Sequence, residues 1–80
     1  MHPSLKGLSS REIEKVLLKN GFELERQSGS HKTFFGFVKG QKRRVTIVAS
    51  QSDFDRKTLI SMICQSGLSE QEWLKALGKK

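Results

Sequence analysis

The stretch Gln27-Ser28-Gly29-Ser30-His31-Lys32-Thr33-Phe34-Phe35 sets the only internal histidine after a glycine flanked by small hydroxyls, at the head of an apolar run. An imidazole exchanges a proton near neutral pH, and a glycine lets the backbone come close to a bulky group such as a phosphate. The chemistry this spacing suggests is proton transfer beside an anion. The competing reading is that His31 simply opens a strand with its ring half in solvent.

The charge pattern bears on that choice. Fifteen Lys and Arg against eight Asp and Glu give a formal net charge of +7. Between Arg26 and Lys57 stand eight basic residues (Arg26, Lys32, Lys39, Lys42, Arg43, Arg44, Arg56, Lys57) and two acidic ones (Asp53, Asp55), so nearly all the excess lies mid-chain. A concentrated positive field around a proton-transfer residue favours a polyanion, most simply nucleic acid, over a charge carried for solubility.

Eighty residues make one domain, 1–80. A chain of this size buries only about 60% of the surface its unfolded form exposes, so its core must be small. One cysteine excludes an internal disulfide, and with two histidines it leaves no plausible zinc cluster; neither metal nor cofactor is expected. No apolar run reaches membrane-spanning length and no secretion signal opens the chain, so the expectation is a soluble, cytoplasmic protein without membrane contact.

Elements that would position His31 can be placed by pattern. Met1 to Gly7 carries Pro3 and no periodicity, which predicts a flexible leader over 1–8 before a folded part over 9–77; His2 lies in that leader. Ser9 and Glu12 have capping-box spacing, and Leu8 with Ile13 the matching staple, for a helix over Ser10 to Asn20 buried through Ile13, Val16 and Leu17. Asn20-Gly21 stops it. Phe22 and Leu24 alternate with Glu23 and Glu25 in a half-buried strand ending near Gln27, and Ser28-Gly29-Ser30 turns the chain. His31 to Val38 is a second strand, Lys39 to Lys42 a hairpin loop, and Arg43 to Ala49 a third strand. Asp53 or Asp55 can cap a second helix carrying Leu59, Met62 and Ile63, with Cys64 as a core or boundary residue and Gly67 as the stop. Ser69 and Glu72 repeat the capping box, with Leu68 and Trp73 as staple, for a short last helix to Leu77, Trp73 being a core lid. The order predicts an α+β two-layer sandwich, α-β-β-β-α plus a short C-terminal helix, with one sheet face open.

In this arrangement Lys19-Asn20-Gly21-Phe22, Gln27 to His31 with Phe34 three places on, Arg44-Val45-Thr46-Ile47 and Thr58 to Ser69 occur in an order and spacing that resembles the HicA family of messenger-RNA interferase toxins. The likeness spans roughly Ser10 to Trp73. It implies a fold similar to double-stranded-RNA-binding domains, metal-free endonuclease cleavage of mRNA by the histidine at position 31, and inhibition by a HicB-type antitoxin. Two positions depart from the family pattern: Ser50-Gln51-Ser52 stand where another histidine is common, and Lys57 where a glycine precedes Thr-Leu. The loop after the third strand is therefore expected to meet RNA differently or more weakly.

RNA carries its own nucleophile, the 2′-hydroxyl, so a small protein can cleave it by moving a proton and stabilising charge on the phosphate. His31 is the one residue suited to the first task. Lys32, Lys42, Arg43 and Arg44 are candidates for phosphate contacts, and the backbone N–H groups of Ser28, Gly29 and Ser30 for a small anion nest. A non-catalytic RNA-binding module and a protein-interaction domain, both using the open face, are the alternatives. If Phe34 and Val38 face the helices, His31, Phe35 and Phe37 share that open side; the opposite alternation buries Phe35 and Phe37 and exposes Phe34.

Overall fold

The computed structural model describes residues 5–49 and 51–78. Its elements run α1 (Ser10–Lys19), β1 (Glu23–Ser28), β2 (His31–Val38), β3 (Gln41–Val48), α2 (Arg56–Ser66) and α3 (Glu70–Ala76). The three strands form one antiparallel sheet in the order β1-β2-β3. The expected α+β class, element order and C-terminal helix are all present.

Local chemistry accounts for the helix ends. The Ser9 hydroxyl accepts from the Glu12 N–H while the Glu12 carboxylate accepts from the Ser9 N–H, and Ser69 and Glu72 repeat this at α3. At the far end of α1 the Asn20 side-chain amide donates to the Val16 carbonyl (2.8 Å), and the left-handed residue is Gly21 rather than Asn20. Asp55, not Asp53, holds the N-cap position of α2, its carboxylate accepting from the Thr58 hydroxyl, and Gly67 ends the helix in the left-handed conformation.

The core collects Ile13, Val16 and Leu17 of α1, Phe22, Phe34, Val45 and Ile47 on one side of the sheet, Leu59, Met62 and Ile63 of α2, and Trp73 of α3. Phe34, Val45 and Ile47 are buried while Phe37 is 66% exposed, so the helices cover one face of the sheet only. Trp73 is fully buried, as expected of a lid, and its indole N–H donates to the Ser66 hydroxyl (3.2 Å). That hydroxyl also donates to the Ile63 carbonyl (2.7 Å) and accepts from the Leu68 N–H (3.1 Å), which satisfies a buried polar group completely and ties α2 to α3.

Several expectations need correction. Residues 1–4, His2 among them, lie outside the described residues, but Leu5 and Leu8 of the expected leader are in the core, because two apolar side chains next to a small protein's core gain more by burial than by fraying. The segment is held by the Leu8 carbonyl, which accepts from the Phe54 N–H (3.1 Å), and by the Ser10 N–H, which donates to the Gln51 carbonyl (2.8 Å). β1 is not half-buried: all six residues are exposed, Leu24 included at 48%, and Phe22 enters the core just before the strand starts. The second hairpin loop is two residues, Lys39 and Gly40, both with positive φ, because that geometry follows the twist of the flanking strands. Cys64 is exposed rather than a core or boundary residue. Among the described residues no helix is long and apolar enough to cross a membrane.

Gly36 lies on the helix side of β2, beneath the Phe22 ring. A Cβ at this position would meet three Phe22 ring carbons, the nearest at 2.8 Å. Gly36→Ala is therefore expected to destabilise the fold by about 1–3 kcal/mol through overpacking, measured by chemical denaturation.

Candidate nucleic-acid interface

A two-residue turn, Gly29-Ser30, joins β1 to β2, with positive φ at Gly29 alone, which suits a type II′ hairpin. It is anchored through its carbonyls: Gly29 accepts from the Gln27 side-chain amide (3.1 Å) and Ser30 from the Ala49 N–H. His31 is thus delivered as the first residue of β2, exposed, between Ser28 of β1 and Val48 of β3.

From His31 the open face proceeds in cross-strand rows. Thr33 follows, between Arg26 and Thr46, its hydroxyl 3.2 Å from that of Thr46. Phe35 comes next, opposite Arg44, and then Phe37 opposite Lys42. His31, Phe35 and Phe37 do share this side, with Phe34 and Val38 toward the helices. A shallow depression lined by Glu25, Arg26, Thr33, Arg44 and Thr46 lies between the histidine end and the aromatic end.

One carboxylate organises the cations here. Glu25 accepts two hydrogen bonds from the Arg44 guanidinium, at 2.9 and 3.3 Å, and lies 3.7 Å from the Lys42 ammonium. The Arg44 hydrogen bond, helped by the charges of Arg44, Lys42 and Arg26, holds the Glu25 carboxyl below its ordinary value against a smaller opposing effect of desolvation. The same pairing raises the Arg44 guanidinium further. Lys42 in turn sits over the Phe35 ring, 4.9 Å from its centroid.

The candidate residues chosen from sequence therefore divide. His31, Lys42 and Arg44 meet on the open face, and Ser28, Gly29 and Ser30 form its rim. Lys32 and Arg43 point the other way, because neighbours on a strand face opposite sides of the sheet. Lys32 pairs with Glu14 of α1 at 3.3 Å. Arg43 packs on the end of α2, where a Cβ on Gly67 would lie 2.8 Å from its Nε. Its Nη2 donates to the Gln41 side-chain oxygen (3.1 Å), while Nε is buried without a hydrogen-bond partner among the described residues. Sequence reasoning also missed Glu25 and Arg26. The pairing of β1 with β2 steps past Glu25, and this bulge turns Arg26 to the open face; nothing in the residue pattern marks it. Among the described residues no three His, Cys, Asp or Glu side chains come together as a metal site.

The sequence model of a family described as the HicA toxin of bacterial toxin-antitoxin matches residues 10–68, from the first residue of α1 to just past α2. The chain belongs to the HicA toxin family. It is the toxin member of a toxin–antitoxin pair, and the matched region holds the whole sheet with its open face, leaving α3 outside. No curated protein and no solved structure matches the chain.

The Glu25–Arg44 pair can be checked in this HicA-family chain by acid titration. A carboxyl whose folded value is lowered contributes stability above its ordinary value of 4.5, and that contribution is lost as pH falls through the lower folded value. The Glu25 carboxyl, followed by NMR, is expected to titrate below 4.5 and to move upward in Arg44→Gln. A native midpoint at or above the ordinary value would show that the pair does not form in solution.

Proposed function

We propose that this HicA-family chain is an endoribonuclease that cleaves messenger RNA without a metal, with His31 moving the proton and the open sheet face holding the strand. The observation that carries the reading is the placement of His31, the one histidine among the described residues, exposed on the same face as Arg26, Arg44 and Lys42. In this mechanism the RNA 2′-hydroxyl attacks the adjacent phosphorus. The His31 imidazole takes the hydroxyl proton, the bond from phosphorus to the 5′-oxygen of the next nucleotide breaks to leave a 2′,3′-cyclic phosphate, and the 5′-oxygen takes a proton from water.

Spacing along β2 assigns the cations. Arg26 stands one row from His31, about 7 Å along the strand, while Arg44 is about 13 Å and Lys42 about 20 Å away. Arg26 is therefore the cation best placed for the scissile phosphate, and Arg44 and Lys42 hold the strand farther along. The N–H groups of the Ser28–Ser30 turn border the same end of the face and complete the phosphate contacts. A HicB-type antitoxin that laid an acidic surface over this face would block both His31 and the cations that steer RNA to it.

His31→Ala is expected to lower the RNA cleavage rate by about a hundred- to ten-thousand-fold while leaving melting temperature and most RNA affinity unchanged, since the exposed ring supports no core contact. EDTA should have no effect. A variant that instead lost affinity and kept its rate per bound complex would make the protein an RNA-binding module with a structural histidine.

The division of the basic hairpin gives a second expectation. Neutralising Lys42 and Arg44 together should flatten the dependence of log affinity on log salt by about 1.4, the counterion release of two single-strand phosphate contacts. Arg43→Gln should leave that slope alone and act on stability. An equal loss of slope from Arg43→Gln would show that the strand also runs over the helix side.

A further inference from the structure

The cleavage chemistry leaves one prominent group unused. Phe37 is a large ring left 66% exposed on the open face, where Phe35 is half-buried and capped by the Lys42 ammonium. Phe37 has no ring or cation partner among the described residues. Leu18, Leu24 and Ile60, the other exposed large hydrophobics, lie on α1, on the edge strand and on α2, so Phe37 does not belong to a continuous apolar patch. It stands instead opposite Lys42, at the end of the row of cations formed by Arg26, Arg44 and Lys42. A protein-docking surface concentrates apolar area at its centre, whereas isolated rings interleaved with cations suit a nucleic-acid strand, whose bases stack while its phosphates pair.

We propose that Phe37 is a base-stacking subsite for single-stranded RNA, set at the opposite end of β2 from His31 and in the same cross-strand row as Lys42. The proposal rests on the reading that the open face binds RNA and adds to it what form of RNA is bound and how far the strand reaches. Bases paired inside a duplex have no free face to offer a protruding ring, so the subsite selects unpaired RNA. Six residue steps of extended strand lead from His31 to Phe37, about 20 Å, so a substrate must continue for several nucleotides beyond the scissile phosphate before a base reaches the ring. Stacking at that distance adds affinity without touching the reacting atoms. Its loss should appear in KM and not in kcat.

Phe37→Ala and Phe37→Trp test this in the full chain, since an exposed ring can be changed without opening the core. The probes are a single-stranded RNA of about ten nucleotides, the same sequence annealed to its complement, and inorganic polyphosphate as a polyanion without bases. Phe37→Ala is expected to weaken single-strand binding on the order of tenfold and to raise KM while sparing kcat, with polyphosphate affinity unchanged. Phe37→Trp is expected to restore affinity, and its emission to be quenched by the single strand but not by duplex or polyphosphate; Trp73 is fully buried and gives a constant background. Unchanged single-strand affinity in Phe37→Ala, or an equal loss for polyphosphate, overturns the subsite while leaving RNA binding by the face intact. A wild-type dimer that Phe37→Ala dissociates without changing RNA affinity assigns the ring to a second copy of the chain and also overturns it. If the wild-type chain binds no RNA at all, the functional reading fails and the subsite with it.

Discussion

Alternation along β2 decides what this molecule shows to helices and what it shows to solvent. Even positions from Lys32 to Val38 face the helices, and odd positions from His31 to Phe37 face outward. A slip of one residue would turn His31 and Phe37 inward and put Phe34 in water, so the register must be held at both ends. Two tight turns do this, Gly29-Ser30 before the strand and Lys39-Gly40 after it. In between, the Phe22 ring rests on Gly36, where no other residue leaves room for it. The strand is locked by its geometry and needs no interaction from the outer face.

Stability and recognition are thereby separated. The core is held on the helix side, by aliphatic and aromatic burial and by the Ser66 hydroxyl that joins Ile63, Leu68 and Trp73. The outer face contributes exposed ion pairs, which add little to folding because water screens them and side-chain entropy opposes them. Arg44 and Lys42 can leave Glu25 for another anion at small cost to the fold. Lys32 and Arg43 cannot be released in the same way: each lies against a helix, one paired with Glu14 and the other packed on the end of α2.

What was legible in the sequence was local. Ser9 with Glu12 and Ser69 with Glu72 specify helix starts by hydrogen bonds inside four residues, and both form. The outward side of β2 followed from placing Phe34 and Val38 toward the helices. Grouping Lys42, Arg43 and Arg44 by adjacency failed because adjacency on a strand means opposite faces, as Arg43 shows. Arg26 and Glu25 were hidden for another reason. A bulge depends on how two strands meet, and the residues on either side of Glu25 carry no mark of it. Leu5 was misjudged because one apolar residue in a short stretch with Pro3 has no periodicity of its own, and the segment after it is held by backbone hydrogen bonds to the distant residues Gln51 and Phe54.

The bulge has a consequence for self-assembly. β1 is an edge strand with every residue exposed, and a regular, flat edge of that kind is a template on which further chains add until fibrils grow. The extra residue at Glu25 bends the edge and breaks its regular pairing pattern, while Glu23, Glu25 and Arg26 set charge along it. The irregularity that turns Arg26 toward the open face therefore also works against polymerisation, which lets a small domain keep one whole side of its sheet bare.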